Sequence, residues 1–120
     1  MLFQNDYYRQ LSECLRSGGI ICSQAESFWF DLDVIKNLLK IARNHFKTVN
    51  YCYTLVPSYP SGQIGFLIAC KDKIVNFRTP YYELSKQQKE SMQLKYYSSE
   101  THTAAFALPS FIKEQLNLEN

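Results

Sequence analysis

Apolar residues recur at helical spacing between Asp31 and Phe46, where Ile35, Leu38, Leu39, Ala42 and Phe46 form one stripe among charged neighbours. Asp31 and Asp33 stand in the first turn and Arg43 and Lys47 at the end, the order a helix dipole favours. Tyr7 to Arg16 predicts a second helix, with Tyr8, Leu11 and Leu15 on one face and Gly18-Gly19 ending it. Ile20 to Gln24 reads as a short strand, apolar on both faces at its start as buried parallel strands are. Val49 to Val56 and Ile64 to Cys70 predict two more strands, paired as an antiparallel hairpin. Residues 71–103 are polar and irregular, apart from a short helix over Lys86 to Met92. Pro109 to Leu118 closes with a helix whose Phe111, Ile112 and Leu116 are expected to dock on the sheet.

The order helix, strand, helix, strand, strand predicts an α/β fold in one domain. The connection between the last two strands stands out. Hairpins usually turn in about two to five residues around Asn-Gly or Asp-Gly. Here Pro57-Ser58-Tyr59-Pro60-Ser61-Gly62 is longer, and its prolines hold Tyr59 extended before the second one. The phenol at the loop tip can donate and accept a hydrogen bond; packing of Tyr59 on Pro57 and Pro60 explains it equally well.

In open α/β sheets, ligands sit beyond the carboxyl ends of the parallel strands, which brings Gln24 and Glu26 forward. At i and i+2 they share a side if the strand runs that far. An amide oxygen plus a carboxylate suits an ammonium rather than an anion. For these two residues alone, a solvated strand end is the plainer reading.

Composition narrows the classes. With 46% hydrophobic and 15% aromatic residues the chain is no disordered tail, and a net charge of +2 gives no argument for nucleic acid or an anionic membrane. Lys36, Lys40, Arg43 and Lys47 form the wet face of a helix, without the interleaved aromatics that stack bases. No apolar run approaches the ~20 residues of a membrane helix, and no signal-peptide pattern opens the chain. Cys14, Cys22, Cys52 and Cys70 lie too far apart for a metal knuckle with His45 or His102. They are expected as reduced, buried thiols of a cytoplasmic protein. His102 has no nucleophile near it in sequence and reads as a packed or surface histidine.

Three motifs in order carry a resemblance. They are Gln24-Ala25-Glu26 at the strand end, Pro57-Ser58-Tyr59-Pro60-Ser61-Gly62-Gln63-Ile64-Gly65-Phe66, and Leu94-Lys95-Tyr96-Tyr97. Together with Ala104-Ala105-Phe106-Ala107-Leu108-Pro109 they resemble the C-terminal part of eukaryotic-type spermidine synthases, the polyamine aminopropyltransferases. The resemblance implies the C-terminal half of a Rossmann-like, methyltransferase-type sheet and transfer of an aminopropyl group from decarboxylated S-adenosylmethionine to putrescine. It implies that Gln24 and Glu26 anchor the distal amine, that Tyr59 lies beside the attacking amine, and that Ile64 borders the four-carbon chain. It also implies a homo-oligomer. Gly18, Gly19, Gly62 and Gly65 form no nucleotide cradle, and no Asp-rich loop matching the family's proton acceptor is found. The expectation is therefore a partial catalytic domain over residues 1–120, truncated at its N-terminus. Its catalytic carboxylate would lie upstream of Met1, no cofactor would bind to the chain alone, and the isolated chain would be inactive. A putrescine N-methyltransferase-like fragment and a non-catalytic remnant that associates with an intact synthase are the alternatives.

Overall fold

The computed structural model describes residues 2–118. Met1, before which the sequence reading puts the proton acceptor, lies outside the described residues. The elements are α1 (Leu2–Cys14), β1 (Ile20–Gln24), α2 (Leu32–Arg43), β2 (Thr48–Leu55), β3 (Gln63–Cys70), α3 (Lys86–Ser91), α4 (Ser99–Ala104) and α5 (Ser110–Leu116).

The three strands form one sheet in the order β1-β3-β2. β3 runs antiparallel to both neighbours, so β1 and β2 point the same way with β3 inserted between them. The hairpin of β2 and β3 is as the sequence predicts, and the mixed α/β architecture is that of the methyltransferase-like fold. Directly paired residues share a face. Ile21 and Ser23 of β1, Val49, Tyr51 and Tyr53 of β2, and Gly65, Leu67 and Ala69 of β3 therefore lie on one face.

That face carries the main core. The α2 stripe Ile35, Leu38, Leu39 and Ala42 is buried, as its spacing predicts, against Tyr51, Leu67 and Ala69; the helix ends at Arg43, and Phe46, just beyond it, joins the same core. Tyr8 of α1 closes one side, with Leu11 and Leu15 packed on it. Ile112 and Leu116 of α5 close the other, and Arg43 fixes α5 by donating to the Leu116 carbonyl at 2.7 Å. The second face carries Cys22, Gln24, Cys52, Ile64, Phe66, Ile68 and Cys70, and a smaller cluster of Cys70, Phe77 and Phe106 covers part of it.

Several expectations are corrected. β1 is not a buried parallel strand: its residues alternate between exposed and half-buried, because it borders the sheet and lies antiparallel to β3. Only Cys70 is a buried thiol; Cys14 and Cys22 are exposed and Cys52 is half-buried. Phe111 does not dock on the sheet but lies half-exposed, 6.1 Å from the Trp29 ring. Residues 71–103 also hold α4, begun by a capping box in which Ser98 and Thr101 satisfy each other's backbone N–H groups.

Candidate functional site

β1 and β2 end on the same side of the sheet, and β3 begins there. This gathers the end of β1, the loop between β2 and β3, and the first residues of β3 at one rim. Gln24 pairs with Phe66 and Ile64 is two residues before it in β3, so Gln24 and Ile64 share the second face as diagonal neighbours. Ile64 is buried, whereas Gln24 and Glu26 are exposed.

The strand stops at Gln24, so the condition for Gln24 and Glu26 to point the same way as strand residues is not met. The ladder gives one more bond, from the Ala25 N–H to the Gly65 carbonyl at 2.8 Å. Glu26 then turns into the left-handed region with φ 54°. A non-glycine residue there is uncommon and is held in place by its surroundings. The holding group is Tyr51, whose hydroxyl donates to the Glu26 carbonyl at 2.8 Å from the fully buried core. Gly65 makes the bond possible, because a Cβ at that position would overlap both the Tyr51 hydroxyl and the Glu26 carbonyl oxygen. Burial pushes the Tyr51 phenol well above its ordinary range, so it remains a hydrogen-bond donor at any physiological pH.

The loop is equally determined. Tyr59 is extended (φ −89°, ψ 150°), as the proline after it requires, and 40% exposed. Its N–H donates to the Val56 carbonyl at 3.1 Å and its carbonyl accepts from Gly62 N–H at 2.8 Å. Ser61 (φ 63°) and Gly62 (φ 69°) make two successive left-handed steps that return the chain into β3. Ser27, next to Glu26, reaches this loop: its hydroxyl lies 3.1 Å from that of Ser61 and donates to Gln63 Oε1 at 3.0 Å.

The motif at residues 94–97 also arrives here. The Tyr96 hydroxyl lies 3.2 Å from Thr54 Oγ1, and Thr54 is the partner of Ile64 across the hairpin. His102 is a packed histidine: Nε2–H donates to the Phe77 carbonyl at 2.7 Å, so Nδ1 accepts from Tyr97 at 3.1 Å. A cavity of about 700 Å³ opens on the second face among Ile20, Cys52, Ile68, Phe77 and Phe106. It lies toward the other end of β1, and Gln24, Glu26, Tyr59 and Ile64 are not among its lining.

Sequence reasoning singled out Gln24, Glu26, Tyr59 and Ile64 but missed Tyr51, Ser27, Gln63 and Tyr96. A glutamine opening an apolar strand, buried at position 63, was the available signal for a polar partner across the rim. Each glycine has a local task. The Gly18 N–H (φ 78°) donates to Asp72, Gly19 abuts Leu15 and Arg16, Gly62 serves the loop and Gly65 makes room for Tyr51. These positions do not fit a nucleoside cradle.

The spermine/spermidine synthase domain family matches residues 1–79. Spermidine synthase from Schizosaccharomyces pombe is 44% identical over 113 residues, covering 94% of this chain and 38% of the relative. Putrescine N-methyltransferase 3 from Nicotiana tabacum is 36% identical, covering 96% of this chain and 32% of that protein. Among solved structures, Thermotoga maritima spermidine synthase superposes with a TM-score of 0.77 at 26% identity, over 98% of this chain and 40% of that one. The chain thus spans about two fifths or less of the length of each of these proteins.

Proposed function

Since the chain belongs to the spermine/spermidine synthase family, we propose that its residues form one wall of a diamine site, at which putrescine is held while an aminopropyl group is transferred to it. The observation that carries this reading is the gathering of an amide oxygen, a carboxylate, a phenol and an apolar side chain at one rim of the sheet.

A diamine needs both of its ends treated differently. With a pKa near ~10.4, only about one amine in a few thousand is neutral at pH 7, and only the neutral form is a nucleophile. The distal end stays an ammonium and is taken by Glu26 and Gln24, a charge-assisted acceptor pair. Ile64 lies under the methylenes. The Tyr59 hydroxyl oxygen accepts from an N–H of the attacking amine and fixes its direction, leaving the nitrogen lone pair free.

Decarboxylated S-adenosylmethionine supplies the transferred group in this reading. The glycines here are committed elsewhere, so no residue of this chain is assigned to that donor and no step is derived through it. The carboxylate that takes the proton is likewise assigned to none of these residues. Aminopropyl transfer by residues 1–120 alone is expected at background level. The tobacco relative favours a second reading, because a putrescine wall serves methyl transfer equally well.

The test is a titration of the purified chain, followed by backbone amide NMR. Putrescine should shift Gln24, Glu26, Tyr59 and Ile64, while butylamine, with a single ammonium, should shift them far less. Shifts confined to the cavity around Phe77 and Phe106, or equal responses to both amines, would remove the diamine assignment.

A further inference from the structure

Ser27 is a nearly buried serine whose hydroxyl uses every hydrogen-bonding position it has. Its proton goes to Gln63 Oε1 at 3.0 Å. Its two lone pairs then accept from the Ser61 hydroxyl at 3.1 Å and from the Trp29 N–H at 3.3 Å. Ser27 is 6% and Gln63 4% exposed, so the pair is shielded from water, which would otherwise replace either partner.

The position of this hydroxyl in the chain matters more than its saturation. Ser27 is the residue after Glu26. Ser61 and Gln63 stand between Tyr59 and Ile64 in the neighbouring loop and β3. The residues that would hold the two ends of a diamine belong to segments far apart in sequence, and the hydroxyl of Ser27 joins those segments directly, across 34 positions to Ser61 and 36 to Gln63. Both segments carry a non-glycine residue in the left-handed region, Glu26 at φ 54° and Ser61 at φ 63°. Such conformations persist only where their surroundings over-determine them, and they concentrate at sites that must hold a geometry. Tyr51 pins the carbonyl of the first, and Ser27 holds the side chain of the second.

Resting on the diamine reading above, we propose that Ser27 is a positioning residue that fixes the separation of the two segments of this wall and thereby the length of diamine the site prefers. A diamine is a rod with a polar group at each end. Anchors at a fixed distance reward one length and penalise the next shorter and longer rods. Anchors on segments that move independently reward all lengths alike. A hydroxyl that only satisfied a loop would alter stability and the affinity for every diamine equally.

The experiment measures dissociation constants of the 120-residue chain for 1,3-diaminopropane, putrescine and cadaverine by calorimetry. For the wild type, putrescine should bind tightest. Ser27→Ala should reduce the putrescine-to-cadaverine preference by about fivefold, the scale of one hydrogen bond, and Ser27→Thr, which keeps the hydroxyl, should restore it. Ser61→Gly provides a second arm on an exposed loop, since it removes the partner hydroxyl while suiting the left-handed backbone. It should lower the preference in the same direction even if Ser27→Ala fails to fold. Affinities that fall equally for all three diamines, or an unchanged preference in Ser61→Gly and in any folded Ser27→Ala, would overturn the proposal. A wild-type chain without length preference would overturn it as well. A wild-type chain that binds none of the three would overturn the diamine reading itself.

Discussion

The contact between Tyr51 and Gly65 determines more of the rim than any residue on the rim itself. Gly65→Ala would place a methyl group on the Tyr51 ring, which is held in the buried core, and on the Glu26 carbonyl. Overpacking of this kind costs about 1–3 kcal/mol, so the urea midpoint should fall clearly. Tyr51→Phe should cost about 1 kcal/mol by leaving the Glu26 carbonyl without its donor. The double variant should be less destabilised than the two added together, because both act on one small volume. Rescue will be partial, since the ring carbon that bears the hydroxyl remains in the way. Strict additivity in denaturation would show that Gly65 does not make room for Tyr51. The thiols differ equally sharply. Burial pushes the Cys52 thiol up to about 12 and also raises that of Cys22, and the thiolate is the reactive form. At pH 8, iodoacetamide should therefore label exposed Cys14 well before Cys52 or Cys70, as read by peptide mass spectrometry. None of this was legible beforehand. A sequence shows a glycine or a cysteine but not what lies across the sheet from it.

The elements themselves were legible wherever periodicity was strong. The stripe from Ile35 to Phe46 is buried as a set, and Ile20 to Gln24 matches β1 residue for residue. What spacing does not encode is neighbourhood. β3 inserts between β1 and β2, which leaves β1 at the border and its apolar run half in solvent. α3 and α4 are both six residues long, but the box that begins α3 has the usual Ser-x-x-Gln form (Ser85, Gln88), whereas the box that begins α4 ends in Thr101, and α4 was missed. The turn from α1 into β1 offers a test at this scale. Asp72, beside the end of β3, accepts the Gly18 N–H at 2.6 Å, and this bond, helped by Ser17, holds its carboxyl below the usual range. A depressed pKa contributes stability that is present above the ordinary value near ~3.9 and is lost as pH falls through the folded-state value. Asp72→Asn should thus lower Tm near pH 7, with the gap to wild type closing as pH falls below the ordinary carboxyl value of ~3.9 and through the depressed folded-state value. A gap that persists in acid would mean that the carboxylate charge is irrelevant to the turn.

For the molecule as a whole, the candidate site was readable because its residues lie in short contiguous motifs, whereas the frame behind it depends on pairs far apart in sequence. The same overall view shows how much surface these residues leave open. The radius of gyration is 15.1 Å, against about 13.6 Å for a compact chain of this length. Among the described residues, β1 is bonded along one side only, and its outer backbone groups face away from the sheet. Near it, Ile74 and Tyr81 are 84% and 89% exposed, and Ile20 and Tyr81 line the same apolar cavity on the second face. An unpaired edge beside apolar surface favours pairing with another strand. The polypeptide of residues 1–120, prepared alone, should therefore self-associate, with a mass by light scattering that rises with concentration. Cys22→Lys tests the route, because Cys22 is exposed in the middle of β1 and a lysine on an edge strand opposes strand addition. The variant should shift the distribution toward monomer while leaving the far-ultraviolet circular dichroism unchanged. A wild-type chain that stays monomeric at high concentration would refute the association. A Cys22→Lys chain that associates as strongly as wild type would refute the β1 edge as the route.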